Sequence, residues 1–238
     1  MKIILITFSF LFATLALEAQ SDCVILLHGL ARSDRSFAKM EEVLSDSGFT
    51  VINESYPSTE YRIEKLAMET VGEAIIQCPE TSVVHFVTHS LGGILVRQYL
   101  DSTKVDDLGR VVMLGPPNHG SEITDELKEL WLYEALNGPA GMQLGTDSLS
   151  IPNQLGPAEF ELGIIAGNKT FNPILSTMLP DPDDGKVSVE STKLEGMTDH
   201  LVMPVTHTFM MRDDDVIAQV IFFLRNGSFN RENMTNDD

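Results

Sequence analysis

Apolar and polar positions alternate along the chain in blocks that predict strands and helices taken in turn. Val24–Leu27 is a short β-branched run ending at His28-Gly29-Leu30, which predicts a buried strand followed by a tight turn. Phe37, Met40, Val43 and Leu44 fall at helical spacing and predict a helix over Ser36–Ser45. Phe49–Asn53 predicts the next strand. Ile63, Leu66, Ala67, Val71, Ala74 and Ile75 mark an amphipathic helix that stops near Cys78-Pro79. Val83–Val87 and Arg110–Leu114 predict strands on either side of the apolar, Gly- and Pro-free helix Ile94–Leu100. Leu162–Ala166 and Leu201–Val205 predict the last two strands. Asp213–Leu224 predicts a final helix, acidic in its first turn, with Arg225 in its last and Gly227 closing it. This alternation predicts an α/β fold: a mostly parallel, doubly wound sheet with helices on both faces.

One region breaks the pattern. Ser121–Asn137 reads as a helix with a broad apolar surface, and Gly138–Pro157 as a Gly- and Pro-rich loop of unusual length. Such a segment, over about residues 121–160, is either a small helical and loop cap over a site or an ordinary sheet-covering helix with a long return. The tail from Asn226, and residues 229–238 in particular, is polar and expected to be loose.

The amino terminus changes the picture of where the chain works. Met1-Lys2, the apolar segment Ile3–Leu17 and the small residue Ala19 read as a secretory signal over residues 1–19, cleaved after Ala19. A retained signal anchor is the alternative. Asp22 just before Cys23 argues against lipid attachment there. The expected mature protein, residues 20–228 as one domain plus the tail, is exported, without stable membrane insertion. In an oxidising compartment Cys23 and Cys78, each just before a strand, could bridge; two unpaired cysteines packed as small hydrophobes are the alternative.

Sixteen basic against 35 acidic residues give a formal charge of −19, which repels nucleic acid and excludes it as an expected partner.

The chemistry centres on Thr88-His89-Ser90-Leu91-Gly92-Gly93, between a predicted strand and a predicted helix. A serine on such a turn is lifted clear of the sheet, and the helix N-terminus behind it favours a developing oxyanion. Ser90 is therefore the candidate nucleophile, with a helix-capping serine as the plain alternative. A serine hydroxyl needs a histidine to take its proton and a carboxylate to orient that histidine. Of the downstream histidines, His119 comes before any suitable acid. His200 stands at the near end of the last predicted strand and His207 at its far end, where the carboxyl edge of a parallel sheet lies, so His207 is preferred. The acid is placed in Asp181-Pro182-Asp183-Asp184-Gly185, with Asp184 chosen and Asp183 next; solvation or a weak calcium loop is the plain reading of that turn. Backbone N–H groups of Leu30 and Leu91 are the candidate oxyanion donors, and His28 is read as structural.

These residues, with Gly115-Pro116-Pro117-Asn118-His119-Gly120-Ser121, Asp184-Gly185-Lys186-Val187 and the late His207, resemble the lipase-like esterase branch of the α/β-hydrolase superfamily over nearly all of Val24–Arg225. The resemblance implies serine-dependent hydrolysis of carboxylic esters, often of lipids, with no organic cofactor; no metal is assigned, although some relatives bind calcium near the histidine. Thr88 departs from the glycine that usually opens the turn motif. An acyltransferase with the same triad, or a non-catalytic binding protein of the same fold, are the competing expectations.

Overall fold

The computed structural model describes residues 22–171 and 176–232; the predicted signal and the last residues of the tail lie outside them. Six strands form one wholly parallel sheet in the order β2-β1-β3-β4-β5-β6. They are β1 (Cys23–Leu27), β2 (Thr50–Glu54), β3 (Val84–His89), β4 (Leu108–Leu114), β5 (Leu162–Gly167) and β6 (Asp199–Met203). β1, β3 and β5 are buried throughout, as apolar strands covered on both faces must be. Alternate residues feed two cores. Ile25, Leu27, Phe86 and Met113 pack on one side, and Val24, Leu26, Val87 and Val112 on the other.

The chain leaves β1 toward β2 on one side and returns to β3 on the other. The loops after β1 and β3 therefore diverge and leave a crevice at the carboxyl edge of the sheet, the place where open parallel sheets bind ligands. α1 (Ala38–Asp46) and α8 (Asp214–Asn226) cover one face. α2 (Ile63–Leu66), α3 (Gly72–Gln77) with the π-turn between them, and α4 (Leu91–Ser102) cover the other. Asp213 caps α8 through the amides of Asp215 and Val216, and Gly227 ends it in the left-handed conformation, as its sequence predicted.

Cys23 and Cys78 are joined by a disulfide, with Cα atoms 5.8 Å apart, which ties the start of β1 to the end of α3. Closing a loop with a sequence separation of 55 stabilises the fold by about 4 kcal/mol on the chain-entropy argument.

Three expectations need correction. The helix predicted over Ser121–Asn137 is two helices, α5 (Glu122–Leu127) and α6 (Trp131–Gly141), separated where Leu130 becomes extended. The predicted loop Gly138–Pro157 is partly helical: α6 runs into it through a kink at Gly138-Pro139, and α7 (Ile151–Gln154) starts with proline in its first turn. The tail is docked as far as Arg231: Phe229 is buried against Phe223, and Arg231 forms an ion pair with Asp199 at 2.5 Å. Aromatic burial and a two-pronged guanidinium contact outweigh the polarity of the neighbouring residues. Among the described residues no helix is long and apolar enough to cross a membrane.

Candidate active site

Ser90 sits between β3 and α4 with φ 52° and ψ −118°, a backbone conformation non-glycine residues rarely adopt. Its side chain makes no capping hydrogen bond to α4, so the helix-cap reading fails; its amide instead donates to the Leu114 carbonyl at 2.9 Å. Thr88 fits in place of glycine because it faces Gly93. A Cβ on Gly93 would lie 3.3 Å from the Thr88 hydroxyl oxygen, so the two positions divide one small space.

Asp184 and His207 come from separate loops at the same edge of the sheet. Nδ1–H of His207 donates to Oδ2 of Asp184 at 2.8 Å, with both residues buried. The other carboxylate oxygen accepts the amides of Lys186 at 3.0 Å and Val187 at 2.8 Å, and the His207 amide donates to the Asp184 carbonyl at 3.0 Å. Every acceptor on Asp184 is thus directed, and the bond to Nδ1 leaves Nε2 of His207 as the free ring nitrogen. Asp183 points elsewhere: one oxygen accepts the Gly185 amide at 2.7 Å and the other the Ser176 hydroxyl. His200 lies in β6 and pairs with the Thr192 hydroxyl at 2.9 Å, while exposed His119 faces Asn153. Neither joins the Asp184–His207 pair.

Ser90 and His207 share the wall of one cavity of about 490 Å³. α5 and α6 form its roof with Ile123, Leu127, Tyr133 and Leu136. Leu30 lines it from the β1 side, and Leu91 stands buried at the first turn of α4, where an amide has no intrahelical acceptor. Beyond the roof, Leu130, Trp131 and Leu132 are exposed.

Several supporting residues escaped the sequence reading. His89, buried beside the nucleophile candidate, donates from Nε2 to the His207 carbonyl at 2.9 Å, and the two rings lie 4.6 Å apart. Burial, and then the nearby His207, hold the His89 pKa well below the usual histidine value, so this ring is neutral. Gly115 has φ 53°, and a Cβ there would come within 2.9 Å of Asp184 Oδ2 and 3.1 Å of His207 Nδ1. His28 is structural, as expected. Its Nδ1–H donates to the Gly29 carbonyl at 2.9 Å, its ring stacks on Tyr56 at 4.0 Å, and burial lowers its pKa. Ser58 accepts the Ala31 amide at 3.0 Å and anchors the loop that holds Leu30. Arg97, buried in α4, donates to the Asn118 side chain and carbonyl and to the carbonyls of Pro152, Leu155 and Gly156, pinning the return from the roof. Among the described residues no group of three or more His, Cys, Asp or Glu side chains is arranged to hold a metal ion.

The chain has the α/β-hydrolase fold, shared with solved lipases and esterases. The lipase BlEst2 of Bacillus licheniformis, in its mature form, superposes with a TM-score of 0.70 at 18% identity, covering 87% of this chain and 93% of that one. Phospholipase PlaB of Legionella pneumophila gives a TM-score of 0.69 at 15% identity, over 87% of this chain and 61% of its own. The metagenomic carboxyl esterase MGS0156 gives 0.63 at 19%, over 79% of this chain and 65% of its own. The chain thus spans nearly all of the first and under two thirds of the other two. No protein-family model matches the chain, and no curated protein matches it.

Proposed function

We propose that this protein is a serine hydrolase of carboxylic esters, working through an acyl-enzyme. His207 Nε2 takes the proton from the Ser90 hydroxyl as its oxygen attacks the ester carbonyl. Asp184 holds the imidazole in the required tautomer and stabilises the cation that forms. The amides of Leu30 and Leu91 receive the oxyanion of the tetrahedral intermediate. His207 then protonates the leaving alcohol, and water releases the acid by the same steps in reverse.

The observation that supports this reading most is the 2.8 Å contact from His207 Nδ1 to buried Asp184, with Ser90 on the wall of the cavity that His207 also lines. The apolar roof favours esters with an aliphatic acyl chain, and the solved neighbours named as lipases, an esterase and a phospholipase point the same way. The apolar leader and the Cys23–Cys78 bridge support export to an oxidising compartment.

The test is hydrolysis of p-nitrophenyl esters of graded chain length by purified protein, with and without an added alcohol acceptor. Steady release of free acid supports the hydrolase. Acyl transfer to the alcohol as the main product would assign an acyltransferase instead, and no turnover of any ester would leave a binding protein.

A further inference from the structure

The protein is strongly acidic, and most of its described cations are spent on carboxylates: Lys39 on Asp214, Arg110 on Glu161, Lys128 on Asp125, Arg231 on Asp199. Others, such as Arg97 and Arg225, end on backbone carbonyls. Of the few described cations that do neither, two lie together. Arg32 and Lys186 both line the cavity of Ser90 and His207, both are exposed at its rim, and among the described residues neither has a carboxylate within 4.0 Å. They approach the same opening from two different loops, one after β1 and one before Val187. Partial withdrawal from water and then the Arg32 charge lower the Lys186 pKa, and the Asp184 charge offsets only part of this. Asp184, the nearest acid to Lys186 along the chain, is already engaged with His207 and two backbone amides.

Two like charges held at one rim, in a chain with 35 acidic residues available to neutralise them, make a local positive spot in a negative field. Its position relative to the proposed chemistry is specific. Arg32 follows the oxyanion candidate Leu30 by two residues, and Lys186 follows Asp184 by two. The apolar residues Ile123, Leu127, Leu136 and Leu144 come from the roof and its return. The cavity therefore has one apolar wall, suited to an acyl chain, and a cationic rim on the loops that flank the imidazole, which is where the leaving alcohol collects its proton.

We propose that Arg32 and Lys186 select esters whose alcohol half carries an anionic group, with a phosphate monoester as the chemistry that fits two cations best. This rests on the serine-esterase reading of the same site and specifies its substrate class. The acyl chain lies under the roof and the anion lies at the rim. The remaining surface charge repels such a substrate everywhere else, which adds orientation to affinity.

The test compares a monoacylglycerol with the 1-acylglycerol phosphate of the same acyl chain, both below their aggregation thresholds, and adds a p-nitrophenyl ester with and without a carboxylate at the far end of its acyl chain. At low salt the wild type should favour the phosphate over the neutral glycerol ester by about tenfold in kcat/KM, equivalent to about 1.4 kcal/mol. That preference should shrink as the Debye length falls from about 10 Å at 0.1 M toward about 3 Å at 1 M salt. Arg32→Gln/Lys186→Gln should erase it; single variants should lose part of it, and thermal melting should report an intact fold because both side chains are exposed. Equal rates on the two glycerol esters, an unchanged preference in the double variant, or a preference confined to the acyl-side carboxylate would overturn the proposal. If even the neutral esters are not hydrolysed, the failure belongs to the esterase reading rather than to the anion site.

Discussion

His89 and His207 are joined by a hydrogen bond from the His89 ring to the His207 backbone carbonyl, 2.9 Å long and buried. The residue before the candidate nucleophile thus grips the loop that presents the candidate base, and the two rings pack at 4.6 Å. His89→Phe preserves the packing and removes the donor, leaving a buried carbonyl without its partner. Loss of such a bond costs about 1–3 kcal/mol. Melting should show a destabilisation of that order, and ester turnover should fall about tenfold or more through kcat rather than KM. A variant with unchanged kcat would show that this bond does not position the imidazole.

Gly115 lies against both partners of the Asp184–His207 hydrogen bond. Gly115→Ala places a methyl group against both partners of their hydrogen bond, at a φ that alanine rarely adopts. We expect a drop in kcat/KM of about a hundredfold, the scale that a displacement of about 1 Å produces at a reacting centre. Activity assays at full folding, checked by circular dichroism, decide it.

Much of this site was legible in the chain because its signals are local. A strand, a strained turn and a helix place Ser90, and an Asp-Gly turn followed by a late histidine places Asp184 and His207 at one sheet edge. The residues that steady them were not legible. His89 carries no sequence signal of its own beyond its place in the turn, and Arg97 lies inside an apolar run whose pattern conceals a single buried cation. The roof was misread because α5 and α6 share one apolar surface, and only backbone geometry at Leu130 and Gly138 divides them. β6 begins at Asp199 rather than Leu201: it is an edge strand, so polar residues such as His200 fit there, paired with Thr192. Phe229 and Arg231 dock a tail that composition alone marks as loose.

Arg97 links the helix behind Ser90 to the return from the roof through three carbonyls, and to the Asn118 loop through two further acceptors. Burial lowers its pKa to about 10, so the guanidinium is still charged at neutral pH. Arg97→Met keeps the stem and strands those carbonyls. Denaturant unfolding should show a loss of about 2–4 kcal/mol, and limited proteolysis should cut first between residues 145 and 160. A loss below about 0.5 kcal/mol would mean the return is held by something else.

Four histidines, His28, His85, His89 and His200, have pKa values lowered chiefly by burial. The unfolded chain takes up their protons near pH 6.5 and the folded chain does so only at lower pH, so unfolding binds protons in that interval. Stability is therefore fully present above about pH 6.5 and lost as pH falls below it, by up to about 1.4 kcal/mol per pH unit for each histidine that stays neutral in the fold. Melting temperatures between pH 7.5 and 5 should fall accordingly, and His89→Phe should make the decline shallower. A flat profile would show that these rings protonate without unfolding.

The most direct measurement is covalent capture of the nucleophile by a fluorophosphonate probe, read by mass spectrometry of the intact protein and its peptides. The account predicts a single adduct on Ser90, loss of both adduct and ester turnover in a folded Ser90→Ala protein, and strongly slowed capture in His207→Ala. Labelling or turnover that survives Ser90→Ala would contradict it.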